Sequence, residues 1–259
     1  MGLFKRINMA QYKKWLIFLV ICLSSSSVFS QETYISQHNR AVEGIPQTSS
    51  ELDTDVFVGC IDYTVTYLAV PTENVERREK AEFAIAEIQK SNGDERTECF
   101  NANGDWLHIY KNGERVDRIW YFADTNEEYT LFKTGVLKFF VTDTAEPEGF
   151  SELGIEQIVK TKQKRSILGY DAVKYTATKE SGTVENYWVG EGLVRNPASY
   201  KKNKFSYTDQ LHDVLKGVPL YHEKTVSNFV TTIREAKAIR EGKPSVELFR
   251  LPAVDVYHW

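Results

Sequence analysis

The residues that could do chemistry are scattered rather than grouped. Five histidines stand at His38, His108, His212, His222 and His258; none forms a His-Glu-x-x-His pair or sits beside a cysteine cluster, the spacings that hold a zinc ion on one helix or knuckle. Surface or capping roles are expected for them. No Gly-x-Ser-x-Gly elbow, phosphate-cradling Walker loop or dinucleotide fingerprint occurs, so no nucleophile or cofactor is called for. The 36 carboxylates could include an acid/base pair of the kind that hydrolyses glycosides, a pair that spacing along the chain does not reveal.

Three cysteines are present, Cys22, Cys60 and Cys99. Cys22 lies in the N-terminal segment, where Lys5, Arg6, Lys13 and Lys14 precede an apolar run from Trp15 to Leu23 and then a serine-rich stretch to Ser30. A basic start, a short apolar core and small residues before a cut describe a secretory signal over residues 1–30. The core is too short to span a bilayer, which needs about 20 residues. A second reading makes Leu19-Val-Ile-Cys22 a lipoprotein signal, which would tether the chain to an outer membrane through Cys22. Either way the expected location is the periplasm or the extracellular space. There Cys60 and Cys99 can form one disulfide or remain two buried thiols.

Removing residues 1–30 takes away four basic residues and no acidic one, turning a net charge of −4 into −8. An acidic chain argues against a nucleic-acid partner, which requires a basic face, and against adsorption to anionic lipid headgroups.

The elements that must position any site are mostly strands. Residues 31–54 lack periodic apolar residues and are expected to be a flexible leader; 55–259 form the folded domain. In the first strand Ile61, Tyr63, Val65 and Tyr67 alternate with Asp62, Thr64 and Thr66. After Pro71 the period changes: Ala81, Ala84, Ile85 and Ile88 share one helical face, so an amphipathic helix is expected over 72–90, capped by Thr72 and stopped at Ser91-Asn92-Gly93. Strands follow at 96–100, 106–110, 116–122, 128–133 and 136–142, separated by turns too short for parallel crossovers, which makes an antiparallel meander. Further strands are read at 155–167, 170–179, 183–190, 220–226 and 229–238, with a short helix at 208–216. Ile119/Trp120/Tyr121/Phe122 and Val136–Val141 are apolar on both faces, so each face needs a cover, and the helix at 72–90 is the expected one for one side. Lys160, Lys162 and Lys164 alternate on one face of what reads as a protected edge strand.

Gly59-Cys-Ile-Asp-Tyr63, Ile167-Leu-Gly-Tyr-Asp-Ala-Val-Lys-Tyr175, Tyr187-Trp-Val189, Gly217-Val-Pro-Leu220 and Leu251-Pro252 resemble, in that order, a family of exported bacterial proteins of unknown function. That family is similar in architecture to the periplasmic lipoprotein carriers of the LolA and LolB type. The resemblance covers Phe57 to Trp259; the long helix at 72–90 and the early cysteine pair depart from it. It implies a mainly β (α+β) fold: a curled antiparallel sheet forming a half-open β-barrel, with the inserted helix and short helices covering it. The Gly169 turn and the aromatics Tyr170, Tyr175 and Trp188 are then framework of the curl.

Three functions remain in view. The first is a non-catalytic binding module for an apolar ligand, a lipid or lipoprotein acyl chain, lined by Tyr63, Tyr67, Trp120, Phe122, Phe139 and Trp188. The second is an envelope interaction or structural protein with a self-filled core and a protein partner. The third is a hydrolase with carboxylates in the cleft.

Overall fold

The computed structural model describes residues 56–133, 135–140, 154–203, 208–226, 229–253 and 256–258, with the backbone alone at 135–140, 226 and 256–258. The signal and leader regions, the strand end at 141–142 and the loop at 141–153 lie outside the described residues.

A single sheet carries the fold. Its strands are β1 (Gly59–Ala69), β2 (Glu95–Phe100), β3 (Trp106–Lys111), β4 (Val116–Phe122), β5 (Glu127–Phe132), β6 (Gly135–Phe140), β7 (Ile155–Ile167), β8 (Tyr170–Lys179), β9 (Val184–Val194), β10 (Gly217–Val226), β11 (Val230–Glu241) and β12 (Val256–His258). They form a curled, unclosed sheet of 12 strands in the order β12-β6-β5-β4-β3-β2-β1-β11-β10-β9-β8-β7. Two meanders, β2 to β6 and β7 to β11, are joined where β1 pairs with both β2 and β11. Every pairing between these strands is antiparallel except β12 on β6, and an isolated parallel bridge joins Val56 to Val194. The β7–β8 hairpin turns on Leu168 and Gly169, both at positive φ (52° and 86°), the geometry that matches the strands' right-handed twist.

The alternation in β1 is realised. Ile61 and Tyr63 are fully buried on the inner face, whereas Thr64 and Thr66 are exposed. Asp62 lies on the outer face but is buried too, because Arg240 and Thr97 reach it across the neighbouring strands. A bulge against β11 follows immediately, between Asp62 and Tyr63.

The central strands do bury both faces, under different covers. Inside, Ile61, Tyr63, Phe100, Trp106, Tyr121 and Leu220 pack together. Outside, Cys60, Cys99, Leu107, Trp120, Phe122 and Tyr129 pack under Phe249 and Leu251. The outer cover is thus the C-terminal segment, in which a 3-10 turn (Val246–Phe249) also lets Leu248 O accept from Trp120 Nε1 at 2.9 Å. The inserted helix takes no part in this outer cover.

That helix, α1 (Val75–Asn92), packs instead against β1, β11 and β4. Only Ala81 on it is buried; Ala84, Ile85 and Ile88 are half-covered and Phe83 is exposed. Its cap is Asn74, whose side chain accepts from Arg77 N–H at 3.0 Å. Thr72 is too far upstream to reach the free amides of the first turn, and its hydroxyl accepts from Asn74 N–H. Gly93 ends the helix at φ 74°, where an added Cβ would collide with Lys111 O.

A second helix, α2 (Thr208–Leu215), lays Leu215 on Val173, Tyr175, Tyr187 and Val189. At the open edge, β7 jumps register from Lys160↔Tyr175 to Lys164↔Val173, so three residues face Lys174 alone. The bulge breaks the expected one-face lysine row; together with its charges it protects the edge from pairing with another chain.

Candidate functional site

The register brings a set of charged side chains onto the inner face of the half-barrel. Glu98 on β2 is opposite Ile61 and His108, Arg96 is opposite Tyr63 and Tyr110, and Arg234 on β11 is opposite Val65 and His222. Directly opposed residues share a face, so these groups converge although Glu98 and Arg234 are 136 residues apart in sequence.

Glu98 is the hub. Arg234 Nη1 donates to its Oε1, Arg96 Nε lies at 3.0 Å and His108 Nε2 at 3.7 Å. Burial by itself would raise the Glu98 pKa; Arg234 and Arg96 outweigh it and hold the carboxyl far below the usual range. His108 is pushed well below 6.5 by burial and then by Arg96, so it is neutral at pH 7. The Arg234 guanidinium also lies 4.9 Å from the centre of the Tyr63 ring, whose hydroxyl donates to Pro219 O at 2.9 Å.

Arg195, just past β9, enters from the opposite side. Its Nε donates to Ser199 Oγ at 2.9 Å and its Nη1 to His212 Nε2 at 2.6 Å. Burial and then Arg195 depress His212 well below 6.5, which keeps that nitrogen an acceptor. Arg195 itself is lowered by burial to about 10, while Glu98 is the carboxylate that acts on it to raise it.

A second knot sits beside the first. Glu185 on β9 accepts from the Tyr187 hydroxyl and lies 3.1 Å from His222 Nε2, 3.5 Å from Lys224 Nζ and 3.9 Å from Lys179 Nζ. Burial opposes its ionisation, yet His222 and Lys224 bring it down to about 2. His222 stacks on Tyr187 with ring centres 4.3 Å apart. Toward β5, burial raises Glu128 to about 7 against the attraction of Arg96.

Of the nominated lining residues, Tyr63 belongs to the inner core; Trp188 is half-buried against the same cluster but in register with Tyr221, on the face opposite Arg234, with Arg165 4.4 Å over its ring. Trp120 and Phe122 pack together in the outer core. Tyr67 stands at the α1 end of the inner face, its hydroxyl donating to Gly93 O at 3.0 Å. Phe139 is in register with Glu128, its side chain outside the described residues. The structure does not gather the six around one cavity, because alternation sends Trp120 and Phe122 to the face opposite Tyr63. Two surface hollows, of about 500 and 670 Å³, are lined by other residues, among them Ile109, Lys111 and Lys243 in the first and Phe57, Tyr170 and Leu193 in the second. Cys60 and Cys99, opposed across β1 and β2, are joined by a disulfide on the outer face.

The ionic cluster is the site that sequence reasoning missed. One signal pointed to it: Arg96 and Glu98 alternate in phase with Phe100, and His108 with Trp106 and Tyr110, so charges fall where the pattern demands inward-facing residues. Among the described residues no group of His, Cys, Asp and Glu is arranged to hold a metal ion, and no helix is long and apolar enough to cross a membrane.

No family model matches the chain, and no curated protein sequence matches it. Among solved structures it is similar to an uncharacterised conserved protein from Thermus thermophilus, with 6% identity, 86% of this chain and 100% of that one covered, and a TM-score of 0.42. It is also similar to PNGF-II, with 11% identity, 77% of this chain covered and a TM-score of 0.37; the chain spans 31% of that protein's length. A LolA superfamily protein from Nitrosomonas europaea aligns at 8% identity over 86% of this chain and 98% of that one, with a TM-score of 0.19.

Proposed function

We propose that this chain is an exported, non-catalytic binding module that holds an apolar ligand, a lipid or lipoprotein acyl chain, against the inner face of its half-barrel. One observation carries the reading. Between α1 and the ionic cluster the inner face keeps Val65, Tyr67, Tyr110 and Ile119 only half-buried. Apolar side chains left partly open beside a few fixed polar groups are what small-molecule sites offer. On this reading Tyr67 is a contact residue and Tyr63 supports it from beneath; Trp120 and Phe122 brace the sheet from behind.

A competing reading, an envelope protein with a self-filled core and a protein partner, is favoured by the complete burial of Tyr63, Trp120, Tyr121 and Tyr129. Native mass spectrometry of the chain purified from an exporting host, followed by organic extraction, separates the two. A stoichiometric lipid that is lost in Tyr67→Ala supports the carrier reading. A mass unchanged after incubation with lipids and fatty acids sinks it and leaves the protein partner.

A further inference from the structure

We propose that Arg96, Arg234 and Arg195 form a receptor on the inner face for one anionic oxyacid group, a carboxylate or phosphate, which on the reading above is the head of the bound amphiphile. Arg96 and Arg234 both pair with a single buried carboxylate, Glu98, and Arg195 lies within range of its field. Guanidinium does not give up its proton in proteins, so the cluster carries a surplus of two positive charges.

The neighbouring groups do not supply the missing counter-charge. Arg195 is hydrogen-bonded to a hydroxyl and a neutral imidazole. His108 is neutral. Glu185 is already matched by Lys179, Lys224 and His222. Glu128, the remaining acid near Arg96, is only half-ionised near neutrality.

Uncompensated charge away from water is costly, and a bound anion relieves it. The side chains of Arg96 and Arg234 keep 17% and 16% of their surface open, while that of Glu98 keeps 4%, so the cations and not the carboxylate face the opening. Arg234 Nε is buried with no hydrogen-bond partner. A planar fork with an unused donor matches the two oxygens of a carboxylate or phosphate. The half-buried Val65, Tyr67 and Tyr110 adjoin the same arginines in register, so an acyl chain continuing from the head would run along them.

Isothermal titration calorimetry of the full exported chain at pH 7.4 and constant ionic strength tests this with laurate, dodecanol and inorganic phosphate. Laurate is expected to bind at least tenfold more tightly than dodecanol, and Arg234→Gln to erase that preference while leaving dodecanol unchanged. Should Arg234→Gln fail to fold, Arg96→Lys, which keeps the charge and loses the fork, is expected to weaken laurate severalfold, and phosphate is expected to raise the Tm of the unmutated chain. Equal binding of laurate and dodecanol with no phosphate effect overturns the anion receptor and leaves the apolar site standing. Phosphate binding without either acyl probe keeps the receptor and removes the acyl reading. Binding of none of the three removes both.

Discussion

Tyr63 on β1 and Pro219 on β10 are 156 residues apart and joined by a buried hydrogen bond of 2.9 Å from the phenol to the carbonyl. The bond reaches past β11, the strand between them, and so reports the inward curl of the sheet. Tyr63→Phe would leave Pro219 O without this donor, at a cost of about 1–3 kcal/mol. Urea unfolding measures it, with Tyr67→Phe as the milder control because that site is only half-buried. Equal small effects of the two substitutions would show that the curl does not depend on this bond.

Glu98→Gln leaves Arg96 and Arg234 without their shared counter-charge on the inner face. Removing one partner of a buried charge cluster destabilises by about 3–5 kcal/mol. Glu76→Gln, which breaks the exposed pair of Glu76 with Lys80 on α1, should be almost silent. A Glu98→Gln protein as stable as the parent would mean that the cluster is open to water.

Acid should weaken the fold from near neutrality downward. Glu98 and Glu185 have depressed folded pKa values, so their stabilisation is complete above 4.5 and lost as the pH falls toward their folded values. His108, His212 and His222 are held below 6.5, so the unfolded chain takes up protons first and stability already declines as the pH drops through that value. In a Glu128→Gln background, free of that carboxyl's opposite titration, the urea midpoint should therefore fall between pH 7 and pH 5; a flat profile there contradicts the assignment of neutral buried imidazoles.

Glu128 runs the other way. Its pKa is raised from 4.5 to about 7, so the stability it contributes is present below 4.5 and lost as the pH rises through 7. Glu128→Gln should stabilise the protein at pH 8 by about 1–2 kcal/mol, discounted for partial exposure, and leave it unchanged at pH 4. A gain at both values would point to packing rather than charge.

The Cys60–Cys99 disulfide closes a loop of 39 residues that contains α1. Loop-entropy arithmetic gives about 4 kcal/mol for that closure. Paired Cys60→Ala and Cys99→Ala substitutions should lower the unfolding free energy by that order, and reductant should have no further effect on the variant.

Local structure was legible along the chain: the period-two strands, the glycine turns between them, the helix before Gly93 and the mainly β, half-open class. These follow from residue spacing and backbone sterics, which act over a few residues. What each face meets depended on contacts between distant parts of the chain. Asn74 rather than Thr72 caps α1 because the cap depends on where the helix actually starts. Phe249 and Leu251, two apolar residues among several in the chain's tail, cover Trp120 because the chain end folds back over β4. Arg96, Glu98, Arg195 and Arg234 read as ordinary strand charges along the chain. They become one cluster because the pairing of β1 with both β2 and β11, and the curl of the sheet, bring together groups whose attraction is strong only out of water and at close range.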